Sequence, residues 1–99
     1  MLTKKNIIKA IIDSREEIKK YGVKRIGVFG SYVKSMQREG SDIDTLVEFE
    51  KDKKSFDNYM ELKFFLQDLL GCKVDLVIKD ALKREIKPHV IKEVEYARL

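Results

Sequence analysis

Ninety-nine residues suffice for one domain with a modest core and leave too few for a second, so residues 1–99 are expected to form a single unit. Hydrophobic residues at 43% and charged residues at 38% exclude a disordered chain, and the net charge of +4 arises from 21 basic residues interleaved with 17 acidic ones, so no basic tract marks a nucleic-acid-binding face. A single cysteine, Cys72, excludes an internal disulfide; no stretch approaches the roughly 20 apolar residues of a membrane span, and the start lacks the apolar core of a signal peptide. The expectations are a cytoplasmic location, no membrane and no direct contact with nucleic acid.

Ile7, Ile8, Ile11, Ile12 and Ile18 recur at helical spacing between a capping Thr3 and Gly22, which predicts an amphipathic helix over 4–21. "VKRIGVF", 23–29, is short, β-branched and aromatic, and Gly30-Ser31 interrupts it, so it reads as a strand running into a turn, with a short helix over 31–37. "DIDTLVEF", 42–49, alternates Ile43, Val47 and Phe49 with Asp42, Asp44 and Glu48, the pattern of a second strand. The mixed-sign run "EFEKDKKSFD", 48–57, reads as a solvated connection.

Ser55 is placed to cap a helix reaching Leu70, with Tyr59, Leu62, Leu66 and Leu69 on one stripe and Gly71 as terminator. Phe64 and Phe65 on the same helix are expected in the core. "KVDLVI", 73–78, is the third strand; Asp80 is a candidate cap for the last helical region, and Pro88 predicts that "PHVIKEVEYARL" forms a separate final helix. The order α-β-α-β-α-β-α-α gives an α/β (α+β) class, with a small three-stranded mixed sheet covered by helices.

Asp42 and Asp44 stand two apart at the start of a strand, where side chains of that spacing share a face. Asp75 occupies the third strand between Val74 and Leu76, a poor place for an unpaired carboxylate. If the second and third strands are neighbours, three carboxylates meet, and their repulsion calls for a cation. Hard oxygen ligands of this kind suit Mg²⁺ bound jointly with substrate phosphates. Gly30 lets backbone approach a ligand, and Ser31 with free N–H groups at a helix start offers a phosphate cradle. Metal and cradle together support nucleotidyl transfer, in which a hydroxyl attacks the α-phosphorus of a nucleoside triphosphate. His89 stands alone, with no Cys or His cluster to make it a ligand.

These residues resemble a known family. Gly30-Ser31, then Ser41-Asp42-Ile43-Asp44, with Asp75 on a later strand, is similar to the GS…DxD…D signature of the polymerase-β-like nucleotidyltransferases. The short length and the stretches "SDIDTLVEFE" and "KVDLVIKDAL" resemble the minimal nucleotidyltransferases (MNT) found beside HEPN-domain partners. The resemblance spans nearly the whole chain and implies a nucleotidyltransferase-like fold. It implies Asp42 and Asp44 as shared ligands of Mg²⁺, as two ions, and Asp75 as the third carboxylate and base. Gly30, Ser31 and Ser41 would lie on the nucleotide-binding side with ATP as substrate. The family often reads GSxARGE, whereas this chain has "GSYVKSM"; Lys34 is the candidate replacement for the lost arginine, and Arg38 a second basic group for phosphate.

The resemblance further implies an antitoxin that uses ATP and Mg²⁺ to attach AMP to a tyrosine hydroxyl of a HEPN-type ribonuclease toxin, with which it would form a hetero-oligomer. Two alternatives stay open at this point. One is a binding-only antitoxin with a degenerate site; the other is nucleotidyl transfer to a small molecule or an RNA end.

Overall fold

The computed structural model describes residues 2–30 and 42–99. The expected short helix over 31–37 lies outside them. Helix α1 (Lys4–Asp13) begins at a reciprocal cap, in which Thr3 Oγ1 accepts the Asn6 N–H and Asn6 Oδ1 accepts the Thr3 N–H, each at 3.1 Å. The single helix expected over 4–21 is divided at Ser14 (φ −106°, ψ 17°), and α2 (Arg15–Lys19) follows. The Ser14 N–H is shared between the Ala10 and Ile11 carbonyls, both at 3.1 Å, so the last turn of α1 tightens before the chain restarts. Ile18 still reaches the core, fully buried with Ile7 and Ile11.

Strand β1 (Val23–Phe29) is central, with antiparallel β2 (Ile43–Phe49) on one side. Helix α3 (Phe56–Leu70) is capped as expected: Ser55 Oγ accepts the Asn58 N–H at 3.1 Å, and Gly71 follows the last turn. Strand β3 (Val74–Ile78) then pairs parallel to β2, as a βαβ unit requires. Of the run 48–57 expected to be a solvated connection, residues 50–57 are exposed, whereas Glu48 and Phe49 are half-buried at the end of β2.

The C-terminal part differs from expectation in three ways. Asp80 caps nothing; it lies inside a single 3₁₀ turn, Lys79–Ala81, that has no side-chain cap bond. Helix α4 (Lys87–Glu93), with Pro88 in its first turn, is shorter than predicted. Its supposed continuation turns into β4 (Glu95–Ala97), which pairs antiparallel with the free edge of β1 and makes a mixed sheet of four strands, β3-β2-β1-β4, rather than three. Val94 and Tyr96 favour extended backbone, and an unpaired edge beside them decides between helix and strand.

Alternation divides the sheet into two faces. Ile26 and Val28 of β1 and Ile43 and Val47 of β2 meet Ile7, Ile11 and Ile18 and Leu62 and Leu66 of α3 in one cluster. The opposite face carries Asp44, Leu46 and Glu48 of β2, with Asp75 and Val77 of β3 at matching positions. Glu48 there lies 3.6 Å from both Arg25 and Lys79, and Arg25 stacks on the Tyr96 ring at 4.0 Å. Leu46 is nevertheless fully buried, so β2 is covered on both faces along its centre.

Phe65 packs against the core and tilts against Tyr21 at 5.9 Å, whereas Phe64, placed in the core by the sequence reading, is 54% exposed. It sits two residues from Leu62 and from Leu66, on the far side of the helix. Among the described residues no helix is long and apolar enough to cross a membrane. Ile11→Ala should therefore lower unfolding stability by about 2–5 kcal/mol, and Phe64→Ser should change it by no more than about 0.5 kcal/mol, both read from urea denaturation midpoints.

Candidate active site

The site grows from the register of the two inner strands and their parallel neighbour. Asp44 lies opposite Phe29 on β1 and beside Asp75 on β3, so the carboxylates of the second and third strands are brought together on the same face. Asp42 precedes β2 and is exposed, while the next residue, Ile43, anchors the strand start by donating its N–H to the Lys73 carbonyl at 3.0 Å. The charge of Asp42 reaches both Asp44 and the Cys72 thiol.

Asp44 is the electrostatic centre. Burial pushes its pKa above the ordinary aspartate value, and the charges of Asp75 and Asp42 push it further. A hydrogen bond with the Asp75 carboxyl adds to the shift, since a proton held by Asp44 can be donated to its neighbour, and the charge of Glu93 completes it. Asp44 is only half-buried, so water still screens part of this repulsion.

Gly30 closes the site at the end of β1. Its φ of 76° falls in the left-handed region, and a Cβ there would collide with the Asp44 carboxylate, so the backbone passes where no other residue would fit. The Gly30 N–H donates to Glu93 Oε1 at 3.1 Å. On the helix side Tyr59 of α3 donates its hydroxyl to the Leu76 carbonyl at 2.6 Å, tying α3 to β3 one residue beyond Asp75. Burial first, and then the Asp75 charge, raise the pKa of that phenol. Burial also raises the Cys72 thiol, which packs against the core.

Of the residues singled out in the sequence, the structure brings Asp42, Asp44, Asp75 and Gly30 to one end of the sheet. Ser31, Lys34, Arg38 and Ser41 lie outside the described residues. His89 is exposed on α4. Two contributors escaped the sequence reading. Tyr59 was assigned to the apolar stripe of its helix, where its hydroxyl gave no sign of a partner. Glu93 was not singled out within the predicted final helix, and only recognition of the following residues as a strand would have carried it to Gly30.

Comparisons with known proteins agree with this architecture. The family described as nucleotidyltransferase domain matches residues 8–99. The chain is 43% identical over 97 residues to the protein adenylyltransferase MntA of Thermococcus cleftensis, covering 97% of each. A solved structure described as a candidate minimal nucleotidyltransferase superposes with a TM-score of 0.73 at 32% identity, over 89% of this chain and 93% of that one. The same fold, at a TM-score of 0.64 and 20% identity, occurs in the structure of a tri-AMPylated HEPN toxin from Shewanella oneidensis in complex with MNT antitoxin, over 92% of this chain and 71% of that one. A strand order with paired aspartates at its sheet end, joined to similarity over nearly the whole length, establishes that the chain belongs to the nucleotidyltransferase domain family and is a nucleotidyltransferase of minimal size.

Proposed function

We propose that this protein transfers AMP from ATP, with Mg²⁺, to a tyrosine hydroxyl of a HEPN-type toxin, and thereby acts as its antitoxin. The observation that carries the reading is the pairing of Asp44 with Asp75 beside Gly30, a site that concentrates negative charge where backbone can approach a ligand. Support for the acceptor comes from the relative named as a protein adenylyltransferase and from the complex of an AMPylated HEPN toxin with MNT antitoxin.

The residues present fit a divalent cation. Crowded carboxylates, with Asp44 pushed above the ordinary aspartate range by burial and by its acidic neighbours, are hard oxygen donors whose repulsion a divalent ion relieves. Among the described residues no three acidic, His or Cys side chains form a closed metal cage by themselves, and Mg²⁺ is commonly held by one or two carboxylates together with substrate phosphates. Asp42 and Asp44 would hold it. When bound, such an ion neutralises phosphate charge and orients the triphosphate.

The chain's own groups then have distinct tasks. Gly30 lets the end of β1 lie directly against Asp44, and the Asp42–Asp44 pair would hold the cation that offsets the charge of the triphosphate. Asp75, exposed and adjacent, takes the proton of the attacking hydroxyl. The new bond joins the tyrosine oxygen to the α-phosphorus, the bond to the β-phosphate oxygen breaks, and pyrophosphate leaves. A second reading, a binding-only antitoxin, is favoured by one feature: "GSYVKSM" lacks the Arg, Gly and Glu of the usual loop.

Incubation of a co-expressed HEPN-type partner with this protein, ATP and Mg²⁺ should add one AMP mass or its multiples to the partner by intact mass spectrometry. The Asp42→Asn/Asp44→Asn double variant should add none, and neutralisation of the toxin by that variant would instead establish the binding-only reading.

Charge crowding also has a pH signature. The pKa of Asp44 is higher in the folded state than the roughly 3.9 of an unfolded aspartate, so its stabilising contribution is complete below that value and is lost as pH rises through the raised folded value. In cation-free buffer Asp44→Asn should therefore melt at a higher temperature than wild type at pH 7. That advantage should vanish near pH 3, and Mg²⁺ should stabilise wild type more than the variant at pH 7.

A further inference from the structure

The chain approaches the site from its C-terminal side through a path of its own. The β1–β4 ladder pairs Ile26 with Ala97, Gly27 with Tyr96 and Val28 with Glu95. Carried two residues further, the same register sets residue 93 opposite residue 30, which is where the Glu93 carboxylate accepts the Gly30 N–H at 3.1 Å. Glu93 is the last residue of α4, so the end of a helix and the start of a strand are folded onto the point where the chain leaves β1.

Two absent side chains make this approach possible. A Cβ on Gly27 would lie 2.7 Å from the Glu95 carbonyl oxygen and 2.8 Å from Val94 Cγ2, so any larger residue would force the α4–β4 junction away from the sheet. A Cβ on Gly30 would meet the Asp44 carboxylate. Gly27 therefore lets the junction in, Glu93 grips Gly30, and Gly30 rests against Asp44. Glu93 is the residue of this junction whose side chain reaches the end of β1. What the carboxylate supplies is a strong acceptor for a backbone donor at a bend with positive φ.

We propose that Glu93 is a positioning residue for nucleotide binding: through its hydrogen bond to Gly30 it holds the end of β1 against Asp44, in the conformation the triphosphate meets. This rests on the reading of the site as nucleotide-binding. It makes the α4–β4 junction part of the substrate-binding apparatus although it need not touch the substrate.

Calorimetric titration of the isolated protein with Mg–ATP tests the proposal without any protein acceptor. Glu93→Ala should weaken ATP binding about tenfold or more, the loss expected for a hydrogen bond to a charged group. Glu93→Gln keeps an acceptor oxygen for the Gly30 N–H and should restore affinity to within about threefold of wild type. Gly27→Ala, which keeps the Glu93 side chain but displaces the junction that carries it, should weaken ATP binding as Glu93→Ala does. Glu95→Gln breaks only the exposed 2.9 Å ion pair with Lys4 and serves as the control in the same segment, with unchanged affinity.

Wild-type affinity in Glu93→Ala would overturn the proposal, as would equal weakness in the Ala and Gln variants. So would a loss in Glu95→Gln matching that in Glu93→Ala, with matching drops in melting temperature, because that is the pattern of general destabilisation. Failure of wild type to bind Mg–ATP would overturn the nucleotide reading itself, and the role of Glu93 with it.

Discussion

Parallel pairing of β2 with β3 sets Asp44 directly beside Asp75, and the register keeps both side chains on one face of the sheet. Adjacent strands lie about 4.8 Å apart, a separation at which two unscreened charges repel strongly unless a proton or a cation intervenes. The neighbouring features are organised around this repulsion. β1 brings a glycine instead of a side chain against Asp44, so that no β1 side chain covers the carboxylate. α3 ties itself to β3 through Tyr59 beyond Asp75, and the α4–β4 junction braces the end of β1.

The sheet separates cohesion from chemistry by its two faces. Isoleucines and leucines from α1, α2 and α3 fill one face, with Ile7, Ile11, Ile18, Leu62 and Leu66 all withdrawn from solvent. The carboxylates occupy the other face near the strand ends. Burial of the apolar face contributes in proportion to its area, whereas the acidic cluster without a cation subtracts from stability. A small fold can hold such a cluster because the cost falls at the periphery and the core stays uninterrupted.

The sequence made the elements with strong local signals legible. Ser55, the Leu62–Leu66 stripe and Gly71 defined α3, and Thr3 marked the start of α1, because caps and periodicity act within a few residues. The aspartates could be placed on one face because a strand fixes the direction of alternate side chains. Long-range decisions were not legible. Residues 95–97 read as helix until β1 offers them an edge, and Ser14 interrupts a helix whose apolar spacing runs straight through it. Phe64 was judged by its type, although its angular position on α3 determines its exposure. Glu93 belongs with the site only because β4 exists, so its part follows from the strand that was missed.

The position of β3 at the end of the sheet order gives Asp75 a second consequence. The segment Val74-Asp75-Leu76-Val77-Ile78 is an edge strand whose other four residues are β-prone and apolar, the composition that invites another chain to add itself to an open edge. Asp75 is its single charge. An arriving copy aligned in the same register would have to bring its own aspartate beside Asp75 and Asp44, lengthening the row of like charges with each strand added. The carboxylate that equips the strand for chemistry thus also makes self-association at that edge electrostatically unfavourable, and a bound cation, by neutralising the row, would weaken this protection.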